Sequence, residues 1–304
     1  MSEQSFEGPP VGRLHDVEGR RLLLHRSGEG APSVVFLPGA GLVGLDFLNV
    51  QERAAEFATS VFYDRAGTGW SDRVELPRRA EEVADELRRL LRAAEVPGPY
   101  LLVGHSLGAF YARRYAQLFP AEVAGLLLVD PGHEDILAFM PEQMAELSEQ
   151  MKLNEADMPD LTAEQIEAAR GQYAQIYAQW PDAARESLID HHLASWRTGL
   201  RETENFETEI YDELRHGGGL PDVPLIVITA GGDNPYWAQF MSPEEMRQGL
   251  EGVRAMHAAM AAAVPRGEQR VLKDAAHNHL HVEQPDAVIE AVRDLLDRSG
   301  HGRP

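Results

Sequence analysis

Cysteine is absent from this 304-residue chain. That excludes a disulfide scaffold, a thiolate zinc site, an iron–sulfur cluster and a cysteine nucleophile. Lysine is nearly absent: Lys152 and Lys273 are the only two among 28 basic residues. Positive charge as a whole is scarce, because 49 acidic residues bring the formal net charge to −21. Such a balance repels phosphate backbones and anionic lipid, so neither nucleic acid nor membrane is an expected partner. No apolar run reaches the ~18 residues of a membrane span. The start, MSEQSFEGPP, lacks the charged n-region and apolar h-region of a signal peptide, so the expected compartment is the cytoplasm. What is present is globular in character: 43% apolar and 25% charged residues. The length suits one large α/β domain or two small ones.

Apolar runs alternate with helical patterns along most of the chain. Residues 11–26 read as two strands joined at Glu18-Gly19. Strands are expected at 33–37 (SVVFL), 60–64 (SVFYD), 100–103, 125–129, 225–229 and 269–273. Helices are expected at 46–58, 79–95, 107–119, 244–264 and 286–297. The helix at 79–95 carries Val83, Leu87, Leu90, Leu91 and Ala94 on one face. This alternation implies βαβ units and a mainly parallel sheet, with ligands at the carboxyl ends of its strands. One stretch breaks it. Between Asp130 and Leu225 the pattern is helical, without a strand, and reads as a cap or lid over the carboxyl edge. Residues 131–221 hold 19 acidic against six basic residues, so most of the excess negative charge lies there.

Gly104-His105-Ser106-Leu107-Gly108 fits G-x-S-x-G between the strand YLLV and a helix. That is the context of a nucleophile elbow, where small flanking residues let strand and helix approach closely. A serine hydroxyl needs a base to take its proton. In this architecture the histidine comes last in chain order. His277 lies just past the final strand, with His279 and His281 close behind. The acid that orients the imidazole has two candidates: Asp233, after the strand LIVIT, and Asp130, at the end of GLLLV. An oxyanion needs backbone N–H donors, expected from Leu107 and from Ala40 in the loop Pro38-Gly39-Ala40-Gly41.

The same loop, Gly39-Ala40-Gly41-Leu42-Val43-Gly44, also fits G-x-G-x-x-G, with Asp64 20 residues further on. Those are the terms of a dinucleotide site and of an oxidoreductase. That reading leaves Ser106 and the downstream acid and histidine without a role. The hydrolase reading uses all of them.

These motifs resemble the α/β-hydrolase superfamily over nearly the whole chain. GHSLGAFYARRYAQLFPAEVAGLLLVDP is similar to its elbow, helix and following strand, and YDRAGTGWSD to its D-x-x-G-x-G-x-S turn. LPGAG stands where members often carry His-Gly, with Pro38 in place of that histidine. HVEQPDAV resembles the segment after the family's histidine. The resemblance implies an α/β-hydrolase fold: a core of residues 1–130 and 222–304, and a helical cap of residues 131–221 inserted before the penultimate core strand. It also implies Ser106 as nucleophile, Asp233 as acid and His277 as base. The spacing back from Glu283-Gln284-Pro285 falls on Asn278, which keeps His279 in play. Asp130 sits where capped dehalogenase-like members place their acid, although those enzymes use an aspartate nucleophile.

The sequence therefore points to a serine hydrolase of a small-molecule ester, thioester or lactone, with no metal or organic cofactor implied. Acyl transfer, C–C hydrolysis, cofactor-free haloperoxidation and a non-catalytic ligand receptor share the same framework. Candidate substrate-binding residues are His105, Tyr173, Tyr177, Trp180, Trp196, Trp237 and Phe240. The aromatic ones serve equally well as packing between cap helices.

Overall fold

The computed structural model describes residues 8–141, 158–232 and 241–300. Eight strands form one sheet in the order β1-β2-β4-β3-β5-β6-β7-β8. They are β1 (Arg13–Val17), β2 (Arg20–Ser27), β3 (Ser33–Leu37), β4 (Ser60–Tyr63), β5 (Tyr100–His105), β6 (Val123–Val129), β7 (Leu225–Ala230) and β8 (Gly267–Leu272). Strands β1 and β2 make an antiparallel hairpin at one edge, turning through Glu18 and Gly19, both at positive φ. Two left-handed residues in a two-residue loop match the twist of the flanking strands. From β4 to β8 the pairing is parallel. Every residue of β3, β5, β6 and β7 is buried, as expected of strands covered on both faces.

One covering layer contains α2 (Ala80–Ala93) and α3 (Leu107–Leu118), with Val83, Leu87, Leu90 and Leu91 of α2 turned inward. The other contains α1 (Leu48–Ala55) and the terminal helix α10 (Pro285–Arg298), through Leu48, Val50, Val288, Val292 and Leu295. Helix α1 starts two residues later than the pattern suggests. Asp46 instead ties back its own turn by accepting the Val43 amide at 2.7 Å.

The segment between β6 and β7 carries α4 (Ala163–Ile176), α5 (Asp182–Ala194), α6 (Thr198–Thr203) and α7 (Tyr211–His216), and no strand among the described residues. Helix α8 (Pro243–Ala262) and the short α9 (Leu280–Glu283) complete the described helices that bear on the site. No described helix is long and apolar enough to cross a membrane.

Chain order reverses at β3: the chain moves from β3 to β4 on one side and returns to β5 on the other. The crevice at such a switch point is where open parallel sheets hold ligands. The loops that leave β3 and β5 are Pro38–Gly41 and Ser106, so the two sequence motifs converge there.

Candidate active site

Ser106 sits between β5 and α3 with φ 50° and ψ −117°. For a residue with a Cβ this left-handed conformation costs roughly 1–3 kcal/mol and persists only where its surroundings enforce it. Two glycines make those surroundings possible. A Cβ on Gly104 would come within 2.6 Å of the Gly108 carbonyl oxygen. A Cβ on Gly108 would run into the Leu37 carbonyl and lie 2.7 Å from that of Pro38. The elbow is thus pressed against the end of β3 and the glycine loop. Gly108→Ala is expected to lower the melting temperature and to displace the Pro38–Gly41 loop; an unchanged thermal transition would contradict this contact.

Ser106 Oγ lies 3.1 Å from His277 Nε2, and His277 Nδ1 lies 2.5 Å from Asp130 Oδ2. With Nδ1–H donating to the carboxylate, Nε2 is left as the acceptor facing the serine hydroxyl. Asp130 follows β6 at φ 43°, and its other oxygen accepts the Ala230 amide at 2.8 Å. The carboxylate on His277 is therefore that of Asp130, the alternative to Asp233. Asp233 lies outside the described residues, as do Trp237 and Phe240. His279 does not reach Ser106. Its half-buried ring instead meets Tyr177 edge-on at 6.3 Å.

The two expected backbone donors flank Ser106. Leu107 opens α3, so its N–H has no carbonyl one turn earlier in the helix. Ala40 lies in the loop facing it, where a Cβ on Gly39 would be 3.2 Å from Ser106 Cβ.

His105 is not a substrate wall. It is 2% exposed, and its Nε2–H donates to the His277 carbonyl at 2.8 Å. Burial and the neighbouring histidines hold its pKa well below the usual value, so the ring is neutral. It locks the backbone of the histidine loop to the elbow. Tyr177 and Trp180 are buried as well, with their polar atoms already engaged. Tyr177 donates to Asp46 Oδ1, and Trp180 Nε1–H to the Leu45 carbonyl at 2.8 Å. They pack the inserted helices onto the core. Tyr173, stacked on His192 at 5.0 Å, and Trp196, under the Arg197 guanidinium at 4.2 Å, are half-buried.

The dinucleotide reading is removed by Asp64. Its carboxylate is fully buried and accepts the amides of Gly44 at 2.7 Å and Trp70 at 2.9 Å. Burial pushes its pKa up to about 6. Enclosed on all sides, it offers no face to a ribose; the residue organises the turn that carries Gly67, Gly69 and Ser71.

One supporting residue gives no motif signal. His257, on α8, is fully buried. Its Nε2–H donates to the Pro131 carbonyl at 2.8 Å, and Nδ1 accepts from the Thr229 hydroxyl at 2.9 Å. Thr229 in turn accepts from Gln269 at 2.9 Å. This chain pins the Pro131 carbonyl, one residue beyond Asp130. A lone histidine in an amphipathic helix is indistinguishable from a packing residue without that geometry.

Burial of histidines also sets the response to acid. It lowers the pKa of His281 from 6.5 to about 4, that of His191 to about 3, and those of His105 and His257 as well. Between pH 6.5 and about 4 the unfolded chain binds more protons than the folded one at these sites, so stability is full above 6.5 and falls as pH falls. Asp64, with a raised pKa, acts in the opposite sense but is a single group. The melting temperature is expected to drop from pH 7.5 to pH 5, and His281→Phe, which keeps the stacking on Phe47, should reduce the drop. A transition independent of pH over that range would rule this out.

Residues 34–291 match the Alpha/beta hydrolase family, and the chain belongs to it. Among curated proteins, the uncharacterized protein YqjL of Bacillus subtilis is 34% identical over 122 residues, which cover 40% of this chain and 48% of that protein. The chain thus spans about half the length of that relative. Among solved structures, a thermophilic esterase from Thermogutta terrifontis has a TM-score of 0.57 at 20% identity, covering 93% of this chain and 96% of its own. The enol-lactonase from Burkholderia xenovorans LB400 has a TM-score of 0.59 at 17% identity, covering 93% and 99%. At such identities the likeness is one of fold.

Proposed function

We propose that the chain is a serine hydrolase that cleaves a carboxylic ester, thioester or lactone through an acyl-enzyme on Ser106. The observation that carries this reading is the continuous chain Ser106 Oγ–His277 Nε2, 3.1 Å, and His277 Nδ1–Asp130 Oδ2, 2.5 Å, on a strained elbow. In this mechanism Ser106 attacks the carbonyl carbon while His277 takes its proton. The Asp130 carboxylate stabilises the imidazolium and fixes its tautomer. The N–H groups of Leu107 and Ala40 bind the tetrahedral oxyanion. His277 returns the proton to the leaving oxygen or sulfur, and then activates the water that hydrolyses the acyl-enzyme. Asp130, rather than Asp233, is the acid in this scheme. Membership of the Alpha/beta hydrolase family supports hydrolysis as the reaction class.

The decisive experiment is a screen over p-nitrophenyl esters of rising acyl length, with lactones and thioesters alongside, together with fluorophosphonate labelling. Turnover with labelling at Ser106 supports the reading. Absence of both sinks it and favours a ligand receptor on a hydrolase scaffold.

In this reading the segment 131–221 is the cap, and its sequence holds 19 acidic against six basic residues, a balance expected to put a negative field near the mouth. A cleft of one sign concentrates ligands of the other. In matched esters that differ only in a remote charge, kcat/KM should rank cationic at or above neutral and neutral above anionic. The spread should narrow with salt, because the field is screened over ~8–10 Å at ordinary ionic strength. Equal rates at low salt would reduce the acidic surface to a solubility feature.

A further inference from the structure

The loop that faces Ser106 is held by an ion pair with one partner in the core and the other in the inserted helices. Arg65 directly follows Asp64 after β4 and is 2% exposed; Glu202, on α6, is equally buried. The Arg65 guanidinium donates to the Pro38 carbonyl at 2.7 Å and to the Gly39 carbonyl at 2.9 Å. It donates to Glu202 Oε1 through Nε at 3.0 Å and Nη2 at 2.7 Å. The second oxygen of Glu202 accepts the Gly41 amide at 2.8 Å. Helix α6 also approaches through its backbone, since a Cβ on Gly41 would lie 3.3 Å from Gly199 Cα.

Peptide geometry turns these contacts into an aiming device. The Gly39 carbonyl and the Ala40 N–H belong to one planar trans peptide, so they point in opposite directions. Fixing that carbonyl on Arg65, with a further bond from the Leu42 amide at 3.3 Å, fixes the direction of the Ala40 N–H on the other side. Binding the Gly41 N–H to Glu202 removes the neighbouring amide from competition and prevents the loop from rotating. Burial of this pair carries a desolvation cost, so its geometry must be complete to be retained. The carboxylate does complete it: one oxygen neutralises the guanidinium and the other holds the loop.

We propose that Glu202 is a positioning residue for oxyanion binding, and that through Arg65 and Gly41 the inserted helices set the aim of the Ala40 N–H. The inference rests on the hydrolase reading above. Glu202 touches no reacting atom; its effect passes through the loop. Loss of it misdirects one of two oxyanion donors, which in a serine hydrolase lowers kcat by on the order of 10²-fold.

The test compares wild type, Glu202→Ala and Glu202→Gln with p-nitrophenyl butyrate as substrate, after titrating active sites with a fluorophosphonate so that misfolded protein is not counted. The expected result for Glu202→Ala is a kcat lower by tenfold or more at a nearly unchanged KM. Affinity for a trifluoromethyl ketone, which presents an oxyanion when bound, should fall in parallel. Glu202→Gln preserves the volume and one acceptor for Gly41 but not the charge opposite Arg65. It should fall between wild type and Ala, and it decides the matter if Glu202→Ala does not fold. A titrated kcat within tenfold of wild type in Glu202→Ala, a titrated kcat equal to wild type in Glu202→Gln where only that variant folds, or a rise in KM that accounts for the whole loss, overturns the proposal. A wild type that neither hydrolyses the ester nor takes the label defeats the hydrolase reading and this inference together. Wild-type turnover with indifferent variants defeats this inference alone.

Discussion

Ser106→Ala is expected to lower kcat for p-nitrophenyl esters by on the order of 10⁴-fold or more and to abolish fluorophosphonate labelling. The substitution removes one oxygen and keeps the Cβ, so the backbone strain at φ 50° and the contact with Gly39 are unchanged. The thermal transition should therefore stay where it is, which separates loss of chemistry from loss of fold. His277→Ala should cost a similar factor. The double variant should be little worse than either single one, because the groups of a triad act as a unit. Near-wild-type turnover by Ser106→Ala would remove the acyl-enzyme from the mechanism.

Asp130→Asn should be nearly as severe, with kcat lower by on the order of 10⁴-fold. The reason lies in the donors. Asp130 Oδ1 accepts the Ala230 amide at 2.8 Å, so an asparagine carbonyl oxygen would be drawn to that side. Its NH₂ group would then face His277 Nδ1. The imidazole could keep that contact only by moving its proton to Nε2, where it can no longer accept from Ser106. Asparagine tolerates the left-handed backbone that Asp130 adopts at φ 43°, so the fold should survive. Asp233→Asn should leave kcat within a few-fold of wild type. The reverse pattern, with Asp233→Asn inactive and Asp130→Asn active, would return the acid to the loop after β7.

Local chemistry accounts for what the sequence revealed. The elbow is legible because its glycines, its strand and its helix are contiguous, and steric demand there leaves few alternatives. The helices at 80–93 and 285–298 follow their apolar periodicity to within a few residues. The choice of acid was not legible in the same way. Two aspartates follow adjacent strands, β6 and β7, and linear spacing does not say which of them the histidine loop approaches. What singles out Asp130 is its contact with His277 Nδ1, a relation in space that linear spacing does not contain. His105 differs from its sequence expectation for a related reason. Its place beside the nucleophile suggests contact with substrate, whereas the ring is buried and turned toward the His277 carbonyl. Glu202 gave no signal, being one carboxylate among 19 in its segment. Only burial opposite Arg65 sets it apart.

The buried contacts of Asp46 bear on how this protein can be rebuilt. Asp46 Oδ1 accepts from Tyr177 and, at 2.9 Å, from His192, both on the inserted helices, and its pKa is held far below the usual carboxylate range by these partners. Arg65 finds its carboxylate on the same helices. A chimera that exchanged residues 131–221 for the equivalent part of another hydrolase would strand an anion at position 46 and a cation at position 65 in a dry interior. Removing one partner of a buried pair typically costs about 3–5 kcal/mol. Substrate range therefore cannot be transplanted here as a cassette: the residues at 46 and 65 have to travel with the graft, or be neutralised before it.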